Sequence, residues 1–96
     1  MPQFDLADGT TNEIDLGNSK GFKASNIGEA KAEVYVDRKS DVNTGGYTSA
    51  VRGSAGYRSP IALNSRATKE VSKADLESEH IRVGVRGDGA KVQFEY

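Results

Sequence analysis

The sequence predicts a small all-β domain, an antiparallel sandwich or barrel of about six to eight short strands. Apolar residues recur at every second position in several segments, and glycine-rich turns separate these segments. The 96 residues suit a single domain spanning 1–96. Val, Ile, Leu and Phe make up only 19 of the 96 residues, and there is no cysteine. A thin core without disulfides favours extra stabilisation by association with other protein.

The N-terminal third predicts short strands. Apolar residues alternate over 4–6 and again over 14–16, on either side of a polar turn at 8–12. This pattern indicates a hairpin or two separate short strands. Phe22 and Ala24 predict a further short strand.

The middle of the chain predicts one clear strand followed by an irregular segment. Apolar residues alternate with polar ones from Ala30 to Val36, which indicates a half-buried strand. Residues 43–60 instead hold four glycines and three serines, with a Gly-Tyr pair at 46–47 that recurs at 56–57. We expect this segment to form an irregular hairpin or an extended loop anchored by its tyrosines.

The C-terminal third predicts three strands and one helical turn. A strand through about 67–71 is expected to lead into one turn near 73–78, capped by Ser72 and pinned by Leu76. Alternating apolar residues over 81–85 and 92–96 flank Gly87-Asp88-Gly89, the usual signature of a β-hairpin.

The net charge of −1 conceals separate blocks of opposite sign. Residues 1–19 carry four acids and no Lys or Arg, whereas residues 42–69 carry four basic side chains and no acid. Such blocks can orient association between subunits or docking on a charged partner, unless they face each other within the fold or are simply solvated. The predicted contact residues are Tyr47, Arg52, Tyr57, Arg58 and Arg66 in the basic segment and Asp5, Asp8, Glu13 and Asp15 in the acidic one.

The sequence contains only weak motifs for adhesion, metal binding and catalysis. Arg86-Gly87-Asp88 is an integrin-type attachment tripeptide at a predicted turn, but the turn alone explains its glycines. Asp41 begins a calcium-loop pattern that has Arg52 where the pattern requires glutamate. One histidine, no cysteine and no Gly-x-Ser-x-Gly motif disfavour an enzyme. We therefore expect no catalytic, metal or cofactor site.

The sequence best fits a non-enzymatic protein that packs against itself or a larger protein surface. Small, Cys-free, Gly/Ser-rich β domains are frequent among accessory proteins of virus particles, such as capsid-decoration or tail components. The alternatives are an adhesion module using Arg86-Gly87-Asp88, or a single-strand nucleic-acid-binding barrel using Tyr47 and Tyr57, which the pI near 5.8 disfavours. No membrane span or N-terminal signal peptide is expected, and the compartment stays open, a virion included.

Overall fold

The computed structural model describes residues 2–41 and 46–96, without the side chains of Ser40 and Asp41. It confirms the all-β prediction, with two antiparallel sheets around one core and, in the part of the chain described, two short 3-10 turns as the only helical segments. The strands are β1 (Gln3–Ala7), β2 (Thr11–Asp15), β3 (Gly21–Asn26), β4 (Ala32–Asp41), β5 (Gly46–Ser49), β6 (Ile61–Leu63), β7 (Thr68–Ser72), β8 (His80–Arg86) and β9 (Lys91–Glu95).

The smaller sheet has the order β1-β9-β3-β7 and the larger sheet the order β2-β8-β4-β5. Strand β4 pairs along one side with β8 and along the other with two short strands in succession, β6 and then β5. The described strands number nine rather than six to eight. The three-residue strand β6 is too short to show a two-residue period, and β5 arises within the segment predicted to be irregular.

The predicted C-terminal hairpin is wrong, and at the N-terminus the alternative of two separate short strands is correct. In both places the turn, at 8–10 and at 87–90, carries the chain from one sheet to the other. Strands β1 and β9 pair in the smaller sheet, and β2 and β8 pair in the larger one. The two crossings bond to each other: the Gly9 amide donates to the carbonyl of Val85 at 2.8 Å, and the Gly87 amide donates to Asp8 Oδ1 at 3.0 Å. The β1–β2 connection and the β8–β9 connection thus bend side by side where the chain passes from one sheet to the other.

The remaining local predictions agree with the structure. The strand expected through 67–71 is β7, and the expected helical turn is a 3-10 turn at Lys73–Asp75. The side chain of Ser72 accepts a hydrogen bond from the Ala74 amide at 3.3 Å, and Leu76 is buried. Within the predicted irregular segment, a second 3-10 turn spans Gly53–Ala55, and residues 43–45 lie outside the described residues.

The core lies between the sheets and is built from the alternating positions of the strands. Val34 and Val83 on the larger sheet, and Phe94 on the smaller one, are fully buried. Phe94 stacks on Phe4 at a centroid distance of 5.3 Å and meets Phe22 at 6.0 Å. Each full burial of such a side chain stabilises the fold by about 1.5–3 kcal/mol before entropy is counted. The scarce apolar residues are therefore concentrated in one cluster.

Asn26 is the only buried polar residue in the part of the chain described. Its Nδ2 donates to the carbonyls of Ala30 at 2.8 Å and Leu63 at 3.0 Å, and its Oδ1 accepts from the Gly28 amide at 3.0 Å. A buried amide is tolerated when its donors and acceptor are satisfied, as they are here. Asn26 thereby fixes the loop after β3 against the end of β6.

Candidate protein-contact surfaces

The outer face of the larger sheet carries an ordered aromatic and guanidinium pair. Strand alternation turns Tyr47 of β5 and Arg82 of β8 toward solvent, away from the core. The Arg82 guanidinium carbon lies 3.5 Å from the centroid of the Tyr47 ring, in cation–π geometry. Arg82 Nη2 also lies 3.8 Å from Asp37 Oδ2. The Arg82 side chain is therefore held by contacts on two sides.

Partial burial on this face raises the pKa of the Asp37 carboxyl group. Desolvation is the largest cause of this rise. The charge of Arg82 and a hydrogen bond donated by Arg82 lower the pKa and offset part of it. The pair is only partly exposed, with side-chain exposures of 33% for Arg82 and 22% for Asp37. It is therefore less screened by solvent than an ordinary surface pair.

A hollow of about 280 Å³ adjoins this pair and exists because residue 84 has no side chain. Gly84 lies opposite Thr11 of β2 on one side and Tyr35 of β4 on the other. A Cβ at Gly84 would lie 3.1 Å from Thr11 Cγ2, so a larger residue would fill the floor of the depression. The hollow is lined by Gly9, Thr10, Thr11, Tyr35, Asp37, Arg82, Gly84, Val85 and Arg86.

Tyr57, which the sequence predicts as a contact residue, makes most of its described contacts within the molecule. It packs against the core at the open side between the sheets, and its hydroxyl donates to Asp75 Oδ2 at 3.0 Å. Lys69 Nζ lies 4.0 Å from the centroid of its ring. Desolvation, together with the hydrogen bond to Asp75 and its negative charge, raises the pKa of Tyr57 to about 12.

The predicted arginines of the same segment are dispersed. The Arg52 Nε donates to the carbonyl of Leu76 at 3.1 Å, which ties the basic segment to the residue that follows the 3-10 turn Lys73–Asp75. Arg58 and Arg66 are exposed, and their side chains make no ion pair with another described residue. Arg66 lies in the loop that bonds to Asn26 through its backbone. Arg52 and Tyr57 thus both contact the chain at 75–76.

The predicted acidic residues lie along one edge of the molecule. Strands β1 and β2 each pair with a single neighbour, so the N-terminal segment borders both sheets. Asp5 lies 3.9 Å from Lys91 Nζ and Asp15 lies 3.7 Å from His80 Nδ1, both in exposed positions where such pairs contribute little. Asp8 braces the corner through Gly87, and Glu13 is exposed. All four of these acidic residues are exposed, and Glu13 lies opposite Arg82 in the pairing of β2 with β8.

The Arg86-Gly87-Asp88 tripeptide lies at the corner between the sheets rather than at the tip of a hairpin. The side chains of Arg86 and Asp88 are exposed. Gly87 adopts a φ of 138°, and a Cβ there would lie 2.6 Å from the carbonyl oxygen of Lys31. Only glycine fits this position without displacing the backbone.

A second, shallower depression of about 640 Å³ lies at one end of the smaller sheet, where Phe22, Val71 and Tyr96 contribute to its lining. The charged groups beside it are matched, since Lys23 Nζ lies 3.4 Å from Glu95 Oε2.

Within the described residues, no group of three His, Asp or Glu side chains is placed to hold a metal ion, and no helix is long and apolar enough to cross a membrane. No protein-family model, curated protein or solved structure matches the chain. The arguments about its role therefore rest on its own residues.

The residues around the hollow were missed by sequence reasoning for an identifiable reason. Alternation already assigned Tyr35 and Arg82 to the polar sides of their strands. It could not indicate that β4 and β8 are neighbours, which is what brings Tyr35 beside Gly84. An isolated glycine within a strand pattern, such as Gly84, was the available signal for a close approach or a depression.

Proposed function

We propose that this protein is a non-enzymatic assembly protein that packs against another protein surface or a second copy of itself. The observation that carries the proposal is the outer face of the larger sheet, where Tyr35, Arg82 and Arg86 line a concave hollow at Gly84. The ring of Tyr47 packs against the Arg82 guanidinium beside this hollow. Tyr and Arg are the residue types that most often dominate binding energy at protein interfaces. A concave site allows a partner side chain to be desolvated at the centre of such an interface.

The order already present on this face supports its use for docking. Arg82 is held between the Tyr47 ring and Asp37, so little side-chain freedom is left to lose when a partner binds. Immobilising a flexible side chain at an interface costs about 0.5–1.5 kcal/mol. A preformed pair avoids that cost.

The acidic side chains on the edge strands β1 and β2 favour docking through the outer face of the larger sheet rather than through the edge of either sheet. Asp5, Glu13 and Asp15 lie on β1 and β2, which have free backbone groups along one side. Charged side chains on edge strands oppose edge-to-edge pairing between copies. They also attract a basic region of a partner over a distance of about 8–10 Å at ordinary ionic strength.

In its most concrete form, the partner is a virus or phage particle, and the protein is a capsid-decoration, cement or tail component. The support is compositional: a Cys-free chain of 96 residues, with 11 glycines and a thin core, gains stability when it is held on a larger assembly.

The proposal is tested by measuring association of the wild-type chain and of the Tyr47→Ala variant. Light scattering over a range of concentrations would detect self-association. Co-sedimentation would test binding to particles assembled from the capsid or tail protein encoded beside its gene. We expect association by wild type and a loss of at least about tenfold in affinity for Tyr47→Ala, as for an interface anchor.

Lys20→Gln is the control, because Lys20 is exposed, does not line the hollow and is not among the predicted contact residues. It should associate like wild type. A wild-type chain that stays monomeric at every concentration and binds no particle would overturn the proposal, as would an unchanged affinity in Tyr47→Ala.

A second candidate is an adhesion module, favoured by the exposure of both Arg86 and Asp88 on either side of a fixed Gly87. An attachment site of this kind requires the guanidinium and the carboxylate at a set separation. Asp88→Glu should then abolish cell attachment to immobilised protein while the unfolding transition stays unchanged. Attachment that persists in Asp88→Glu rejects this candidate.

A further inference from the structure

We propose that the hollow at Gly84 receives a second copy of this chain, with Ile27 of that copy as the side chain that enters it. This inference rests on the proposed function and commits it to self-association through two different surfaces. The contact joins the loop end of one copy, residues 27–31 and 64–67, to the outer face of the larger sheet of the next.

The loop end presents an exposed apolar side chain from a fixed backbone. Ile27 and Tyr47 are the exposed large apolar residues of the described chain, and Ile27 is the more accessible at 46% against 36%. The Ile27 amide donates to the carbonyl of Lys91 at 2.9 Å, and the Gly28 amide donates to Asn26 Oδ1 at 3.0 Å. A single exposed apolar residue is common on protein surfaces, but one on a backbone held from both sides has little freedom to lose on binding.

Arg66 lies beside Ile27, because the loop after β6 bonds to the loop after β3. The Arg66 amide donates to the Asn26 carbonyl at 2.9 Å, and Ser65 Oγ donates to the Gly28 carbonyl at 2.8 Å. Residues 65 and 66 are therefore bonded to both chain neighbours of Ile27. Arg66 also has a φ of 65°, the only positive φ of a non-glycine residue in the part of the chain described, and such backbone outliers cluster at functional sites.

The hollow has room for one aliphatic side chain. Its volume is about 280 Å³. An apolar cavity of about 150 Å³ holds benzene, which is larger than the side chain of isoleucine. Gly84 forms the floor, and Thr11 and Tyr35 lie on the neighbouring strands at the same level. The methyl group of Thr11 and the ring of Tyr35 offer apolar contacts to the entering side chain.

The border of the hollow offers carboxylates to Arg66. Three carboxylates flank the two guanidiniums there: Glu13 lies opposite Arg82, Glu33 lies opposite Arg86, and Asp37 lies 3.8 Å from Arg82. Glu13 and Glu33 form no ion pair with another described residue. A guanidinium brought to this border by a second copy therefore finds an unpaired carboxylate, and charge-assisted hydrogen bonds of this kind are about twice as strong as neutral ones.

The other charges of the loop end do not oppose the contact. Arg66 is exposed and forms no ion pair with another described residue. Around it and Ile27 lie exposed charges of both signs, Lys31 against Glu29 and Asp88. The outer face is mixed in the same way, so neither surface repels the other as a whole. Arg66 sets the orientation, because it is bonded next to the apolar side chain.

Two variants disable the two sides of the contact separately. Ile27→Glu places a charge on the loop end, whereas Thr11→Trp places a large ring directly opposite Gly84 and fills the hollow. Each alone should associate at least about tenfold more weakly than wild type in sedimentation velocity experiments. Both positions are exposed, so urea unfolding should remain close to that of wild type.

Lys20→Gln is the control, since it lowers the net charge by the same amount as Ile27→Glu and lies at the opposite end of β3. It should associate like wild type. Ile27→Val removes a single methylene and should weaken association by about fourfold or less. A loss in Lys20→Gln as large as that in Ile27→Glu would overturn the inference, because overall charge would then explain both.

Mixing the two disabled variants gives the decisive result. Ile27→Glu keeps its hollow and Thr11→Trp keeps its loop end, so together they should form a one-to-one dimer that grows no further, as a head-to-tail contact requires. A mixture that sediments like the separate variants would overturn the inference. Association of either variant at the strength of wild type would also overturn it, as would a wild type that stays monomeric.

These outcomes are distinguishable from a failure of the docking proposal. If Ile27→Glu still associates as wild type does while Tyr47→Ala does not, docking through the outer face stands and the loop-end contact is refuted. A monomeric wild type that binds particles has the same meaning. If the mixture forms its dimer but Tyr47→Ala associates like wild type, the docking proposal fails as it was framed on Tyr47, and the loop-end contact stands.

Discussion

The segments 46–49 and 56–59 both begin with Gly-Tyr, yet their tyrosines have different environments. Tyr57 is drawn onto the core at the side of the sandwich, with its hydroxyl bonded within the molecule. Tyr47 lies on the outer face, where the described contact of its ring is the guanidinium of Arg82. The comparison shows that a tyrosine in a glycine-rich segment can pack against the core at one position and stay exposed on the outer face at the other.

The largest expected effect is on stability when each tyrosine is removed in turn. Tyr57→Ala should lower the free energy of unfolding by about 2–3 kcal/mol, because it deletes a partly buried ring and leaves Asp75 without its donor. Tyr47→Ala should change it by no more than about 0.5–1 kcal/mol. Urea unfolding of both variants measures the difference. Equal losses would remove the distinction drawn between the two residues.

A smaller effect isolates the hydroxyl of Tyr57 from its ring. Tyr57→Phe should cost about 0.5–1.5 kcal/mol, since it removes only the hydrogen bond to Asp75. In a double-mutant cycle with Asp75→Ala, the second substitution should add less than it does alone. Fully additive losses would indicate that the hydroxyl and the carboxylate do not interact.

The smallest expected effect is a change in stability that appears only at alkaline pH. Burial and Asp75 raise the pKa of Tyr57 to about 12, so the folded state favours the protonated phenol. The stability due to this shift is complete below the ordinary tyrosine pKa of about 10 and is lost as the pH rises toward 12. The advantage of wild type over Tyr57→Phe should therefore shrink across that interval. An advantage that stays constant with pH would contradict the shift.

The sequence revealed which residues face inward but not which strands are neighbours. Ile81, Val83 and Val85 are buried as alternation predicted. A two-residue period records the side of a strand and contains nothing about the strand beside it. Gly87-Asp88-Gly89 suits a reversal within a sheet and a crossing between sheets equally well, because glycine permits both. Pairing was therefore the step at which sequence reasoning failed.

The same limit applied to the contact surfaces. From residue type the sequence predicted Tyr47 as a contact residue, and from a run of like charges it predicted an acidic contact segment. It grouped Tyr57 with Tyr47 because both lie in one glycine-rich segment. Only the tertiary fold separates them, since the bond from Tyr57 to Asp75 joins residues 18 positions apart.

The positions of β8 and β9 have a consequence for how the chain acquires its structure during synthesis. Each is the central strand that joins its sheet, β8 between β2 and β4, and β9 between β1 and β3. Of the nine described strands, they are also the last two in chain order and so the last two to be synthesised. Neither sheet can close until residues 80–95 have emerged, so the nascent chain must carry unpaired strand edges until then. Such long-range pairing gives folding times of milliseconds to seconds and leaves incomplete chains prone to aggregation.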